Sequence, residues 1–75
     1  MSVVVYSKPD CPQCVQTKKY LAKKGIEFSE VDMSVDVEAL EKVKALGYRA
    51  APVVMAGDEH WSGFNMAKLN SLSAK

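Results

Sequence analysis

Several common features are scarce in this chain of 75 residues, which contains only two cysteines and one histidine. Two cysteines are too few for the disulfide framework of a small secreted protein. Together with the single histidine, they also fall short of the ligand set that a structural zinc ion normally takes. The 10 basic and 9 acidic residues leave a net charge of +1. Because phosphate contacts need clustered cations, this balance argues against nucleic-acid binding.

Long hydrophobic runs are also missing. The run Val3-Val4-Val5-Tyr6 is far shorter than the roughly 20 apolar residues of a membrane helix. It is also too short for the apolar core of a signal peptide. We therefore expect no membrane association and a cytoplasmic protein, in a compartment where thiols are kept reduced. The length allows one domain, which we expect to span residues 1–75.

The hydrophobic pattern predicts an α/β domain with the element order βαβαββα. Strands are expected at 2–6, 27–32, 52–56 and 60–62, and helices at 12–24, 37–46 and 65–72. A three-residue loop, 57–59, would join the last two strands. The predicted buried stripes are Leu40, Val43 and Leu46 in the second helix, and Met66, Leu69 and Leu72 in the third. The first βαβ unit implies two parallel strands joined by a right-handed crossover.

The two cysteines are three residues apart, at Cys11 and Cys14. Pro12 suits the first turn of a helix, which places Cys11 at the N-cap and Cys14 one turn later. Unpaired backbone N–H groups and the helix dipole favour a thiolate at the cap. CxxC cysteines of this kind have pKa values of about 3.5–7.5, against about 8.5 for a free thiol. We therefore predict that Cys11 is the exposed nucleophile and Cys14 the shielded resolving thiol.

Other interpretations of the cysteines remain open from the residues alone. A metal ion or iron–sulfur cluster shared between two chains would recruit thiolates from each chain. Two inert buried cysteines could also fall three apart by chance. A preceding β-branched strand and a helix start are, however, the setting in which CxxC is typical of a thiol–disulfide redox motif. Lys8 favours a thiolate at Cys11 and Asp10 opposes it, so their net effect is left without a sign.

The rest of the chain offers weaker candidates. Pro52 is either an ordinary strand-start proline or part of a cis-proline loop facing the cysteines, where Ala51 could pair with an extended partner segment. Trp61 and Phe64 are either a satellite of the core, which composition favours, or an apolar docking surface. Gly63 permits a tight turn. His60 fits a surface position better than a catalytic base.

Together these residues resemble the glutaredoxin branch of the thioredoxin superfamily and, within it, the NrdH-redoxins. The resemblance runs almost end to end and is carried by the segments Val4-Val5-Tyr6-Ser7-Lys8-Pro9-Asp10-Cys11-Pro12-Gln13-Cys14, Thr17-Lys18, Gly47-Tyr48-Arg49, Ala51-Pro52-Val53-Val54, Gly57-Asp58 and Trp61-Ser62-Gly63-Phe64. The CxxC and proline segments occur throughout the superfamily. The Trp-Ser-Gly-Phe segment is specific to the branch, and Gln13 supports it.

The resemblance implies a thioredoxin/glutaredoxin fold, with a four-stranded mixed sheet flanked by three helices. It also implies a cis Pro52 and a dithiol protein that receives electrons from NADPH through thioredoxin reductase. The disulfide it reduces would belong to a class Ib ribonucleotide reductase. Cys11 and Cys14 carry over as the redox pair, with no metal and no separate cofactor. The implied partner-binding residues are Lys8, Pro12, Gln13, Ala51, Pro52, Trp61, Ser62, Gly63 and Phe64.

The alternatives are a glutathione-dependent glutaredoxin and a metal- or cluster-binding module. Glutaredoxins usually carry Tyr before the second cysteine, a Thr-Val-Pro segment and a Gly-rich stretch that holds glutathione. Gln13, Ala50-Ala51-Pro52 and Trp61-Ser62-Gly63-Phe64 stand in those places here, which argues against glutathione. We expect a monomer, because a carrier must expose its site to two partners in turn.

Overall fold

The computed structural model describes residues 3–73 and has the predicted element order βαβαββα. The strands are β1 (Val3–Ser7), β2 (Ser29–Asp32), β3 (Val53–Ala56) and β4 (Glu59–Ser62). The helices are α1 (Pro12–Lys23), α2 (Val37–Ala45) and α3 (Met66–Ser73). Ser2, predicted to begin the first strand, lies outside the described residues.

The four strands form one mixed sheet in the order β2-β1-β3-β4. β1 pairs with β2 in parallel, as the first βαβ unit predicts, whereas β1 with β3 and β3 with β4 are antiparallel. The fold is therefore the thioredoxin/glutaredoxin fold that the resemblance implied. β1 is buried along most of its length because it lies inside the sheet, and its Val-rich run is apolar on both faces.

Two clusters of buried side chains cover the two faces of the sheet. On one face Val3 and Val5 pack with Leu21 of α1 and with Leu69 of α3. On the other face Tyr6 and Val53 pack with Ala39 and Val43 of α2. Successive β1 side chains alternate between these clusters, as the two-residue period of a strand requires. The loop that leads from β1 to α1 therefore begins at a strand that is packed on both faces.

The boundaries of most elements differ from the predicted ones by one or two residues. β2 begins at Ser29 instead of residue 27, because its pairing with β1 starts at Ser29 opposite Val4. The hairpin between β3 and β4 has a two-residue loop instead of three, because Glu59 already pairs with Ala56. β1 extends to Ser7, which was predicted to lie in a loop.

Two predicted core positions are wrong, and both lie at helix ends. Leu46 is 40% exposed because α2 ends at Ala45 and Leu46 is its C-cap, while Ala39 supplies the buried position instead. Met66 is 53% exposed at the first residue of α3. Leu69 and Leu72 are buried as predicted.

No helix within residues 3–73 is both long enough and apolar enough to cross a lipid bilayer. The longest of them, α1, has 12 residues.

Candidate redox site

Cys11 occupies the N-cap of α1, as its place before Pro12 predicted. Its backbone is extended, with φ −116° and ψ 100°, and Pro12 begins the helix. The Cys14 backbone N–H donates a hydrogen bond to Cys11 Sγ over 3.2 Å. A side-chain acceptor at the N-cap normally satisfies one of the free N–H groups of the first turn. The Cys11 sulfur therefore lies where helix geometry stabilises negative charge.

Cys11 and Cys14 are joined by a disulfide bond, with their Cα atoms 5.2 Å apart. Only 2% of Cys14 is exposed, whereas Cys11 is partly exposed. The difference follows from their positions, because Cys14 lies on the face of α1 that also buries Thr17 and Leu21. An approaching sulfur atom can therefore reach Cys11 before Cys14.

The loop that carries Cys11 contains a residue in the left-handed region. Asp10 has φ 57° and is the only described non-glycine residue with a positive φ. Asp tolerates this conformation better than most residues, since its short polar side chain can bond locally. The conformation turns the chain from the end of β1 into α1. Lys8 and Asp10 are both exposed on this loop.

Three segments meet beside the disulfide through Pro52, Gly63 and Gln13. The Ala51–Pro52 peptide bond is cis, which confirms the expectation from the resemblance. Pro52 itself is buried, and its carbonyl oxygen accepts a hydrogen bond from the Gly63 N–H over 2.8 Å. Gly63 has φ 80°, and a Cβ at this position would lie 3.4 Å from Gln13 Oε1. The positive φ therefore favours glycine here, whereas a Cβ would make only an ordinary van der Waals contact with Gln13.

The Trp-Ser-Gly-Phe segment divides between core and surface. Trp61 is 6% exposed within the cluster that contains Val54 and Leu69, so it belongs to the core, as composition favoured. Because so little of the residue is exposed, any part that Trp61 has in a docking surface is to shape it from the core. Ser62 is exposed and Phe64 half-buried. The accessible part of the segment is therefore 62–64.

Two polar interactions of α1 and the neighbouring strands were not predicted from the sequence. The Ser7 hydroxyl donates to Glu30 Oε2 over 2.9 Å, and Lys18 Nζ lies 2.6 Å from the same oxygen. These bonds, with that from Lys18 foremost, lower the pKa of Glu30. Thr17 was also missed: its side chain is fully buried, and its hydroxyl donates to the Gln13 carbonyl over 2.8 Å. The bonds to Glu30 depend on how α1 lies over the sheet, so no local motif indicates them. The Thr17 bond is local, because a helical Thr often bonds the carbonyl four residues earlier.

A second missed contact joins Tyr48 to His60 on the α2 side of the sheet. The Tyr48 hydroxyl and His60 Nδ1 are 2.6 Å apart, and the two rings meet edge to face with centroids separated by 5.5 Å. His60 is exposed on β4, as predicted. Across the described part of the chain, no three His, Cys, Asp or Glu side chains gather into a group that could hold a metal ion.

A thioredoxin/glutaredoxin fold with a partly exposed cysteine at the start of α1 and its buried partner one turn later defines a dithiol–disulfide redox protein. Comparison with known proteins agrees. The family model named Glutaredoxin matches residues 3–61. The chain belongs to the glutaredoxin family and, within it, to the NrdH glutaredoxin-like proteins.

Individual relatives cover nearly the whole chain. The glutaredoxin-like protein NrdH of Salmonella typhimurium is 40% identical over 72 residues, which are 96% of this chain and 89% of the relative. NrdH of Lactococcus lactis is 42% identical over 71 residues, covering 95% of this chain and 99% of the relative. The solved NrdH-redoxin of Escherichia coli, described as having a thioredoxin-like activity profile, superimposes with a TM-score of 0.94 at 39% identity, covering 96% of this chain and 95% of that one.

Proposed function

We propose that this protein carries electrons from NADPH, through thioredoxin reductase, to the disulfide of a class Ib ribonucleotide reductase. The observation that carries the proposal is the unequal exposure of the two cysteines at the start of α1. That arrangement suits a carrier that presents one sulfur to large partners and keeps the other in reserve. Similarity to NrdH proteins directs the proposal to ribonucleotide reductase. We place the exchange in the cytoplasm, where thiols are kept reduced.

The exchange takes two displacements at sulfur. The Cys11 thiolate attacks one sulfur of the partner's disulfide, forming a mixed disulfide and releasing the partner's other sulfur as a thiolate. Cys14 then gives up its proton and attacks Cys11 Sγ, which expels the partner's first sulfur. The partner gains two electrons and two protons as a dithiol, and Cys11 and Cys14 end as the disulfide. Thioredoxin reductase returns two electrons from NADPH to this bond.

The partner would lie across the surface around Cys11. We assign its binding to groups that surround this cysteine, with the Ala51 backbone pairing with an extended segment of the partner. Most of these groups are accessible, whereas Pro52 is buried and contributes by shaping the backbone at Ala51. Trp61, which is almost fully buried, would shape this surface from the core. The assigned residues are Lys8, Pro12, Gln13, Ala51, Pro52, Ser62, Gly63 and Phe64.

A coupled assay tests the electron source. The oxidised protein is supplied with NADPH, an active class Ib ribonucleotide reductase and its ribonucleotide substrate, which re-forms the reductase disulfide at each turnover. Either thioredoxin reductase or glutathione plus glutathione reductase is then added. We expect sustained NADPH oxidation with thioredoxin reductase and only background oxidation with glutathione. The Cys11→Ser variant is the control and should be inactive in both. The reverse pattern would support a glutathione-dependent glutaredoxin and contradict the proposal.

The absorbance of the freshly purified protein separates the carrier from a cluster-binding module. A dithiol carrier absorbs in the near ultraviolet through its aromatic residues and has no band in the visible region. A visible band that disappears in the Cys11→Ser variant would instead indicate thiolate ligation of a cluster.

A further inference from the structure

We propose that a groove beside α2 selects between segments of partner proteins. The favoured segments carry an apolar residue and a carboxylate within about three residues of the partner cysteine that bonds to Cys11. This "α2 groove" is the cavity between α2 and the segment that leads to Pro52. The inference rests on the proposed function only in requiring a disulfide-bearing protein as partner. It adds which side chains next to the partner's cysteine this protein favours.

The α2 groove has the size and lining for a side chain. Its volume is about 260 Å³, below the roughly 300–1,000 Å³ of small-molecule sites. Met33, Leu40, Val43 and Ala51 supply apolar surface. Transfer of an apolar partner side chain from water into this groove would lower the free energy of the complex.

The charge around the α2 groove has one sign. Three of its lining residues are cationic, Lys8, Lys44 and Arg49, and none of the described lining residues is acidic. All three are exposed, so their field acts on an approaching partner more than on the fold. Rim charges of this kind steer association and exclude partners of the same sign. A carboxylate beside the inserted apolar side chain would complement them.

The distance between the α2 groove and Cys11 limits how far the two selected residues can lie from the partner's cysteine. Lys8 lines the α2 groove and lies three residues before Cys11. Because an extended chain advances at most about 3.6 Å per residue, the Cα atoms of Lys8 and Cys11 are no more than about 11 Å apart. Ala51 also lines the groove and precedes the cis Pro52. An extended partner bonded to Cys11 therefore reaches the groove within about three residues.

One wall of the α2 groove is held in place before a partner arrives. The Tyr48 ring lines the groove, and its hydroxyl is bonded to His60 Nδ1 on β4 over 2.6 Å. A fixed wall reduces the ordering that binding would otherwise require. The groove is therefore suited to discriminate between side chains rather than to adapt to each one.

Model peptides test this selection without any reductase. Each extended peptide contains one cysteine in a mixed disulfide with the coloured leaving group thionitrobenzoate, and either Leu-Glu, Leu-Lys or Ser-Glu placed two residues before or after it. Release of the leaving group by the reduced protein gives second-order rate constants. In one of the two placements, we expect Leu-Glu to react about fivefold faster than Leu-Lys at low salt, with less difference at high salt. In that placement it should also react about tenfold faster than Ser-Glu.

Matched variants locate the discrimination. The double substitution Lys44→Gln with Arg49→Gln should reduce the Leu-Glu to Leu-Lys ratio to about one, because it removes rim charge from the α2 groove. The double substitution Lys19→Gln with Lys23→Gln removes the same charge from exposed positions of α1 and should leave the ratio unchanged. Equal rates for all peptides, or a ratio that persists in the Lys44→Gln and Arg49→Gln protein, would overturn the inference. Since no ribonucleotide reductase is present, this result is independent of the coupled assay.

Discussion

At the scale of single residues, the two sulfur atoms differ through position alone. Cys11 lies at the N-cap of α1 and accepts the Cys14 N–H, whereas Cys14 is almost fully buried one turn later. Free N–H groups and the helix dipole act on the first sulfur. The second sulfur is shielded from solvent and from an approaching partner. The roles of nucleophile and resolving thiol follow from this asymmetry.

Alkylation of the reduced protein at neutral pH measures the asymmetry. We expect iodoacetamide to modify Cys11 on the order of tenfold or more faster than Cys14, because the N-cap position favours a thiolate and greater exposure acts in the same direction. Peptide mass spectrometry after short reaction times gives the two rates. The single variants Cys11→Ser and Cys14→Ser calibrate each site alone. Faster labelling of Cys14 would reverse the assignment of roles.

The backbone conformation of Asp10 determines which substitutions the loop before α1 tolerates. Its left-handed backbone would cost a β-branched residue about 1–2 kcal/mol. We therefore expect Asp10→Val to lower the free energy of unfolding in urea by about that amount. Asp10→Asn removes the same charge but keeps a residue that tolerates this conformation, so it should be close to neutral. Equal stability of the Val and Asn variants would show that the left-handed turn is not maintained.

At the scale of secondary-structure elements, Lys18 of α1 forms an ion pair with Glu30 of the edge strand β2. Glu30 also accepts the Ser7 hydroxyl, so one carboxylate links α1, β1 and β2 behind the redox loop. The side chains of Lys18 and Glu30 are 30% and 42% exposed. Solvent therefore screens the ion pair, which contributes less than about 1 kcal/mol. Its effect is local alignment more than overall stability.

The interactions of Glu30 predict how its contribution to the free energy of unfolding depends on pH. The pKa of Glu30 is lowered by Lys18 and Ser7, so its stabilisation is fully present above the carboxyl pKa of the unfolded chain, about 4.3. It is lost as the pH falls through the lower pKa of the folded state. Glu30→Gln should therefore cost less than about 1 kcal/mol at neutral pH and nothing in strong acid.

Urea unfolding of both proteins across this pH range measures the difference. Glu27→Gln, at an exposed carboxylate in the loop before β2, is the matched control and should show a smaller effect. A deficit of Glu30→Gln that grew as the pH fell would contradict the expected sign.

At the scale of the whole molecule, two core clusters enclose one sheet, and the disulfide lies at the start of α1. The order of elements and the inside position of β1 were predictable, because a short β-branched run and helix-ending glycines leave strong local signals. The redox pair was predictable for the same reason. Burial of Cys14 follows from helix periodicity once Cys11 is placed at the cap.

Other features depend on tertiary contacts and were not predictable from the sequence. Periodicity assigned Leu46 and Met66 to the core, but it carries little information at helix ends, where the neighbouring element stops covering the stripe. Lys8, Tyr48 and Arg49 line the same groove although they are far apart in the chain, and no local sequence pattern indicates this. The specificity proposed for the α2 groove depends on that arrangement, whereas the redox chemistry depends on the local CxxC motif.

Trapping the intermediate with its partner is the most direct test of electron transfer through Cys11. The reduced Cys14→Ser protein is mixed with oxidised class Ib ribonucleotide reductase, and the product is mapped by mass spectrometry under non-reducing conditions. Without the resolving thiol, we predict a stable mixed disulfide that joins Cys11 to a reductase cysteine. The absence of such an adduct, or an equal yield through Cys14 in the Cys11→Ser protein, would contradict the proposed mechanism.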